Sequence, residues 1–267
     1  MLDYKELENI ARLKRLSLIN VEKDYLQDLL LFSIYSNVGK ELIFKGGTCL
    51  YKIYKLNRFS EDLDFTLAKN IDINKISNKI ISDLALLNVV GKIKEIKEYK
   101  NEINVRLLLN GPLYRGNKET QCFIPLNISI KEKVLLNPEK EFIIPLYKEI
   151  PNFELFAMEE KEILAEKVRA IFTRMKPRDI YDLWFLAIIK NAKFDYELIN
   201  KKLSLYNLKF NLINFKKRIE IMRGLWNIDM KNLIIDEAPD FDKIRKELFE
   251  KISKTINPEN SLKSKVF

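Results

Sequence analysis

The run Arg58-Phe59-Ser60-Glu61-Asp62-Leu63-Asp64-Phe65-Thr66-Leu67 alternates with a period of two, and that pattern is satisfied by a half-buried strand. Asp62, Asp64 and Thr66 share one face while Leu63, Phe65 and Leu67 share the other. Upstream, Ile43-Phe44 leads into Lys45-Gly46-Gly47-Thr48, followed by Leu50, Ile53, Tyr54 and Leu56 at helical spacing. This is a glycine turn that opens a helix. Turn, helix and acidic strand, in that order, are the strongest constraint on what the chain can fold into.

The remaining patterns add helices around a small sheet. Residues 5–37 read as helical, with Leu7, Ile10, Leu13 and Leu16 three apart and Leu26, Leu29, Leu30 and Ile34 behind them, closed by Gly39. A helix is expected over 73–87, and strands from Ile103 to Leu109 and from Phe123 to Ile130, joined through a Gly111-Pro112 turn. After Pro151 the pattern becomes helical: 159–175 and 178–190, separated at Lys176-Pro177, then mostly helix from about 195 to 254. A domain boundary is expected near residue 150, and the last ten or so residues read as a loose end.

Composition removes whole classes of chemistry. The 267 residues include no histidine and two cysteines, Cys49 and Cys122. Imidazole nucleophile relays, histidine-ligated zinc and haem, and four-cysteine zinc sites are therefore excluded. Carboxylate, lysine, arginine, hydroxyl and backbone groups remain, with the hard metal ions that oxygen ligands favour. The charged start lacks the apolar core of a secretory signal, and no apolar stretch approaches membrane-spanning length, so a cytoplasmic protein is expected. The net charge of +9 is spread, +4 over residues 1–150 and +5 over 151–267. Such a spread suits a polyanionic partner without locating it, and equally suits a lysine-rich proteome.

Two local features carry possible chemistry. A glycine pair at a helix start leaves backbone N–H groups free for phosphate oxygens, and Thr48 adds a hydroxyl, although Gly-Gly is more often only a turn. Asp62 and Asp64, at i and i+2 on a strand, point the same way and repel unless a cation lies between them. Mg²⁺ or Mn²⁺, with nucleotide phosphates completing its shell, fits that need; a solvated strand edge is the competing view.

The order of these elements is that of polymerase-β-type nucleotidyltransferases. The run Phe44-Lys45-Gly46-Gly47-Thr48-Cys49-Leu50, with Arg58 to Phe65 after it, closely resembles the AbiEii/AbiGii-type nucleotidyltransferase toxins of type IV toxin–antitoxin systems. A second match runs through Glu159-Glu160-Lys161-Glu162-Ile163-Leu164-Ala165-Glu166-Lys167-Val168-Arg169-Ala170, Arg174 and Arg178-Asp179-Ile180-Tyr181-Asp182-Leu183-Trp184, and Leu225-Trp226 and Pro239-Asp240-Phe241 also fit. The resemblance covers roughly residues 35–250. It implies an α+β fold: a polymerase-β-like nucleotidyltransferase core over 1–150 with N-terminal helices, then a C-terminal helical domain over 151–267 contributing Lys167, Arg174 and Asp182 to the site.

It also implies a reaction. A nucleoside monophosphate passes from an NTP, with Mg²⁺ (or Mn²⁺) held by Asp62 and Asp64, to an acceptor hydroxyl. Gly46, Gly47 and Thr48 contact the triphosphate and Lys167 neutralises its charge. Lys45, Arg58, Ser60 and Arg174 lie in the matched motifs and either assist or are structural. The acceptor implied is the 3′ end of tRNA, the partner a winged-helix antitoxin, and the outcome growth arrest. Nucleotidylation of a protein hydroxyl, or an NTP-binding and antitoxin-binding protein with weakened catalysis, are the alternatives.

Read as a helix, 159–175 buries Leu164, Val168, Ile171, Phe172 and Met175, with Lys167 and Arg174 at the stripe's edge, either reaching phosphates or snorkelling to water. Asp179 is placed to cap the next helix. Asp182, among large apolar neighbours, needs a partner, with Arg174 or Arg178 the obvious one. The resemblance makes Asp182 a candidate general base or orienter; a structural Arg–Asp pair is the equal alternative. One departure matters: relatives often carry a third carboxylate in the strand that here reads Ile124-Pro125-Leu126-Asn127-Ile128-Ser129-Ile130. Asn127 could ligate a metal through its carbonyl but brings no charge and takes no proton.

Overall fold

A computed structural model describes residues 2–231, 233–235 and 239–256. Residues 257–267, which include the expected loose end, lie outside the described residues. The chain divides into two compact units, Met1–Met158 and Glu159–Phe267.

In the first unit, helix α1 (Tyr4–Lys14) starts with a capping box in which Asp3 and Glu6 accept from each other's backbone N–H groups. It ends at Arg15, in the left-handed conformation with φ 54°. Ser17 then caps α2 (Leu18–Asn37), so the expected 5–37 region is two helices, and Leu13 of its apolar series faces solvent. There follow β1 (Leu42–Lys45), α3 (Gly46–Lys52), β2 (Leu63–Leu67), α4 (Ile73–Leu86), β3 (Gly91–Glu98), β4 (Glu102–Leu109), β5 (Cys122–Ser129), β6 (Glu139–Ile143) and β7 (Phe153–Ala157).

The strands form one mixed sheet in the order β3-β4-β5-β2-β1-β7-β6. It is wider than the small sheet expected from sequence. β2 runs antiparallel to β1 and parallel to β5, and β4 runs antiparallel to β5. The regular alternation of β4 and β5 sends Val105, Leu107, Leu126 and Ile128 into the core beside Phe65 and Phe44. The Phe44 and Phe65 rings lie 5.5 Å apart. Full burial of each such side chain contributes ~1.5–3 kcal/mol. α2 packs on α4, β5 and β7, and α4 on β3, which closes the apolar layer.

The same alternation leaves one row of polar side chains across the sheet. Lys45 pairs in register with Asp64, Asp64 with Asn127, and Asn127 with Asn104. The period-two expectation for Asp64 holds, but regular strand begins only at Leu63, so Asp62 stands in the extended segment just ahead of it.

The second unit is helical: α5 (Glu160–Thr173), α6 (Arg178–Trp184) continued by a π-helical turn over Phe185–Ile189, α7 (Tyr196–Ser204), α8 (Leu212–Ile221), α9 (Trp226–Met230) and α10 (Phe241–Ile256). α5 is its centre, packed on α6, α7 and α8. Leu164, Val168 and Ile171 are buried as the stripe requires. Phe172 is half-buried and Met175 exposed, because the helix stops at Thr173 and Met175 falls in the connecting segment. No helix of the described residues is long and apolar enough to cross a membrane.

Candidate active site

In the first unit the two glycines bring the helix start and the acidic strand into contact. Gly46 has φ +78°, a region disfavoured for residues with a Cβ. A Cβ there would stand 2.9 Å from the Asp64 Cβ and overlap its Oδ2. On the other side, a Cβ on Gly47 would stand 2.6 Å from Arg58 Nη2 and 2.7 Å from Ser60 Oγ. The absence of both side chains is what allows the start of α3 to lie between Asp64 and the Arg58–Ser60 segment. That segment is held in turn: Gln27 of α2 donates to the Ser60 carbonyl at 2.9 Å, and Arg58 Nη1 donates to the Phe59 carbonyl at 3.0 Å.

Thr48 is fully buried and its Oγ1 donates to the Asp62 carbonyl at 2.5 Å. Its hydroxyl proton thus fixes the backbone that carries Asp62. Lys45, in register with Asp64, turns its amine to Glu132 at 2.5 Å, and both are buried. Glu132 was not singled out by sequence reading; it lies in an irregular segment where no periodicity marks it.

Asn127 occupies the register position beside Asp64 and donates from Nδ2 to Asp64 Oδ1 at 2.9 Å. Its own Oδ1 accepts from Arg106 Nη1 at 2.9 Å. Arg106 also escaped sequence reading: an arginine at a half-buried strand position reads as an ordinary solvated residue until the strands are paired.

In the second unit the predicted cations and carboxylates form a network within α5, α6 and the turn between them. Lys167 Nζ lies 2.5 Å from Asp182 Oδ2 and 3.1 Å from Asp179 Oδ1, and all three residues are buried. Arg174 grips Asp179 with two bonds, Nε to Oδ2 at 2.7 Å and Nη2 to Oδ1 at 2.8 Å. Burial alone would push the Asp179 carboxyl up, but Lys167 and Arg174 outweigh it and hold it well below the usual carboxylate range. Two expectations change. Pro177 is the N-cap of α6, with no side-chain cap, so Asp179 is an ion-pair hub instead of a cap. Asp182 has Lys167 beside it, a cation not expected there; Arg174 pairs with Asp179, and Arg178 with Asp229 at 3.6 Å.

The structure therefore gathers Lys45, Gly46, Gly47, Thr48, Ser60, Asp62, Asp64 and Asn127 on adjoining elements of the first unit, and Lys167, Arg174 and Asp182 on adjoining elements of the second. Among the described residues, no group of three or more metal-binding side chains is assembled. Two carboxylates fit one hard divalent cation that draws its other ligands from substrate oxygens and water. The Asn127 carbonyl, turned to a guanidinium, faces away from Asp64.

Comparisons with known proteins bear on the fold and the family. A search of curated protein sequences gives no significant match. Solved structures with the same fold include an H. pylori protein described as a nucleotidyltransferase (TM-score 0.64, 20% identity, covering 92% of this chain and 99% of that one). JHP933 from Helicobacter pylori gives a TM-score of 0.61 at 21% identity, with 93% and 98% covered. MenT4, a nucleotidyltransferase toxin from Mycobacterium tuberculosis, gives 0.65 at 16% identity, with 94% and 89% covered. At such identities the likeness speaks for the fold alone. The sequence model for the nucleotidyl transferase AbiEii toxin of type IV toxin–antitoxin systems matches residues 29–247, most of the chain, and the protein belongs to that family.

Proposed function

We propose that the protein transfers a nucleoside monophosphate from an NTP to an acceptor hydroxyl, with the 3′ end of tRNA as acceptor. The observation that carries this reading is the contact between the glycine turn and the acidic strand: Gly46 packs on Asp64 so closely that no side chain fits between them. A triphosphate lying along the start of α3 would have backbone N–H groups on one side and the Asp62–Asp64 carboxylates on the other. Mg²⁺ held by Asp62 and Asp64 would neutralise the phosphate oxygens against those carboxylates.

The chain's own residues supply the positioning. Thr48 holds the Asp62 backbone, Asn127 fixes one oxygen of Asp64, and Gln27 and Arg58 hold the segment bearing Ser60. The acceptor oxygen bonds to the α-phosphorus, the bond from that phosphorus to the bridging oxygen breaks, and pyrophosphate leaves. With no imidazole in the chain, the acceptor proton passes to a carboxylate or to the substrate itself; Asp182 is the carboxylate that the resemblance offers as base or orienter. The +9 charge supports an RNA acceptor and an acidic antitoxin surface; the antitoxin is proposed to be a winged-helix protein.

Incubation with each α-labelled NTP and Mg²⁺, with total RNA or total protein, tests the reading. Label on RNA that is lost in Asp64→Ala is the expected result. Label on protein alone would move the acceptor to a protein hydroxyl. The amide at position 127 favours one further reading, NTP binding with weakened catalysis; tight NTP binding with no transfer to either pool would establish it.

A further inference from the structure

The Arg106–Asn127–Asp64 chain is more than a substitution of amide for acid. A guanidinium only donates, so Arg106 compels the Asn127 oxygen to face it, and the amide nitrogen must then face Asp64. Without Arg106 the amide could turn over and offer its oxygen to a cation at Asp64. With it, a donor N–H₂ stands where relatives often place a carboxylate, and a permanent positive charge stands behind it. Arg106 reaches this place because β4 and β5 are paired so that Arg106 opposes Pro125, one pleat from Asn127 on the same face.

The charge follows directly. Compared with a third carboxylate at this place, the neutral Asn127 amide with Arg106 behind it leaves the site two charges less negative. Two divalent ions need the more negative site, whereas one ion bound with substrate oxygens needs only the less negative one.

We propose that Arg106 is a positioning residue that limits the site to a single divalent cation, by turning the Asn127 amide onto Asp64 and by supplying a fixed positive charge in place of a second ion. The inference rests on the proposed metal role of Asp62 and Asp64 and adds to it the device that sets stoichiometry.

The test is a Mn²⁺ titration of the intact chain, followed by loss of the free ion's electron paramagnetic resonance signal, on wild type, Asp64→Ala, Asn127→Asp, Arg106→Gln, Arg106→Lys and the Asn127→Asp/Arg106→Gln double variant. Circular dichroism checks that each is folded. Wild type is expected to take up one Mn²⁺, lost in Asp64→Ala. Asn127→Asp alone stays at one, because Arg106 pairs with the new carboxylate, and Arg106→Lys also stays at one. Arg106→Gln binds its single ion about tenfold more tightly, the scale expected for removing a nearby unit charge from a polar site. The double variant binds two.

No Mn²⁺ uptake by wild type, or uptake untouched by Asp64→Ala, defeats the metal reading itself and the inference with it. One ion in wild type, lost in Asp64→Ala, with unchanged affinity in folded Arg106→Gln, overturns the inference alone. So does a second ion in wild type or in Asn127→Asp, or a single ion in the folded double variant. Should the double variant not fold, the single variants still decide.

Discussion

Replacement of Gly46 by alanine tests the contact on which the candidate site depends, and a second glycine provides its control. Gly46 and Gly116 both have positive φ, +78° and +86°, but a Cβ on Gly116 meets nothing within 4 Å whereas one on Gly46 overlaps Asp64. Gly116→Ala should cost only the left-handed backbone penalty, ~1–2 kcal/mol. Gly46→Ala should cost that amount plus overpacking of the Asp64 side chain, ~1–3 kcal/mol more, for a total of ~2–5 kcal/mol. Urea unfolding followed by far-UV circular dichroism reads both. Asp64→Ala removes the overlap with the carboxylate but leaves the Cβ contact at 2.9 Å, so the Gly46→Ala/Asp64→Ala double variant is less destabilised than the sum of the single changes by only part of that excess, ~1 kcal/mol. Equal costs at positions 46 and 116, or strict additivity with Asp64→Ala, would refute the argument that the glycine exists to admit the carboxylate.

Other perturbations have equally definite outcomes. Thr48→Val leaves the Asp62 carbonyl without its buried donor; it should destabilise by ~1–3 kcal/mol in a urea melt and weaken NTP binding measured by calorimetry. Asp24 is buried, and burial pushes its carboxyl up, but Lys52 and Lys14 hold it below its ordinary value of 3.8. Its stabilisation is therefore complete above that value and is lost as pH falls through the lower, folded value. Asp24→Asn should flatten the loss of stability below about pH 4 in acid melts. Asp28, raised by burial, binds its proton more readily when folded and works in the opposite sense in the window above 3.8, so Asp28→Asn should remove a gain of stability that the wild type shows as pH falls towards that value.

Much of the first unit was legible because its signals are local. The period-two run gave β2's faces, the glycine pair gave the start of α3, which ends at Lys52 before Ile53, Tyr54 and Leu56 of the expected spacing, and the 73–87 expectation differs from α4 by one residue. β3 was missed because Gly91–Glu98 reads Gly-Lys-Ile-Lys-Glu-Ile-Lys-Glu, a highly charged edge whose two isoleucines three apart mimic helix. β6 and β7 were missed because neither alternates cleanly: β6 reads Glu-Lys-Glu-Phe-Ile, a charged edge, and β7 reads Phe-Glu-Leu-Phe-Ala, with apolar rings on both faces. In the candidate site, Asp64 and Asn127 could be named from sequence, but their adjacency depends on the parallel β2–β5 register, and Arg106's role on the β4–β5 register as well. Pairing is long-range information that no window of sequence contains. For the same reason Asp182 could be recognised as needing a partner, while Lys167, from the preceding helix, could not be named as one.

Lys167 belongs to a device that recurs three times among the described residues. Lys52 is held between Asp24 and Asp28 at 2.8 and 2.6 Å, Lys202 between Glu162 and Glu166 at 2.6 and 2.9 Å, and Lys167 between Asp179 and Asp182 at 3.1 and 2.5 Å. In each case two carboxylates one helical turn apart present four oxygens to one ammonium from another helix, which fixes the register between the two helices. Burial of Lys167 beside Asp182 is thus explained by packing, and catalysis by this cluster needs separate proof. Lys202 supplies the yardstick, since it too is buried between two carboxylates and does not itself lie in the matched motifs. Lys202→Met and Lys167→Met should each cost ~3–5 kcal/mol, because each takes a buried ammonium away from the carboxylates it pairs with. Both are then assayed for nucleotidyl transfer below the lower melting midpoint. Lys202→Met is expected to keep its activity per folded molecule, and Lys167→Met to lose it. Equal retention would reduce the Lys167–Asp179–Asp182 network to a third copy of a structural clamp, and the role that resemblance assigns to Lys167 would fall.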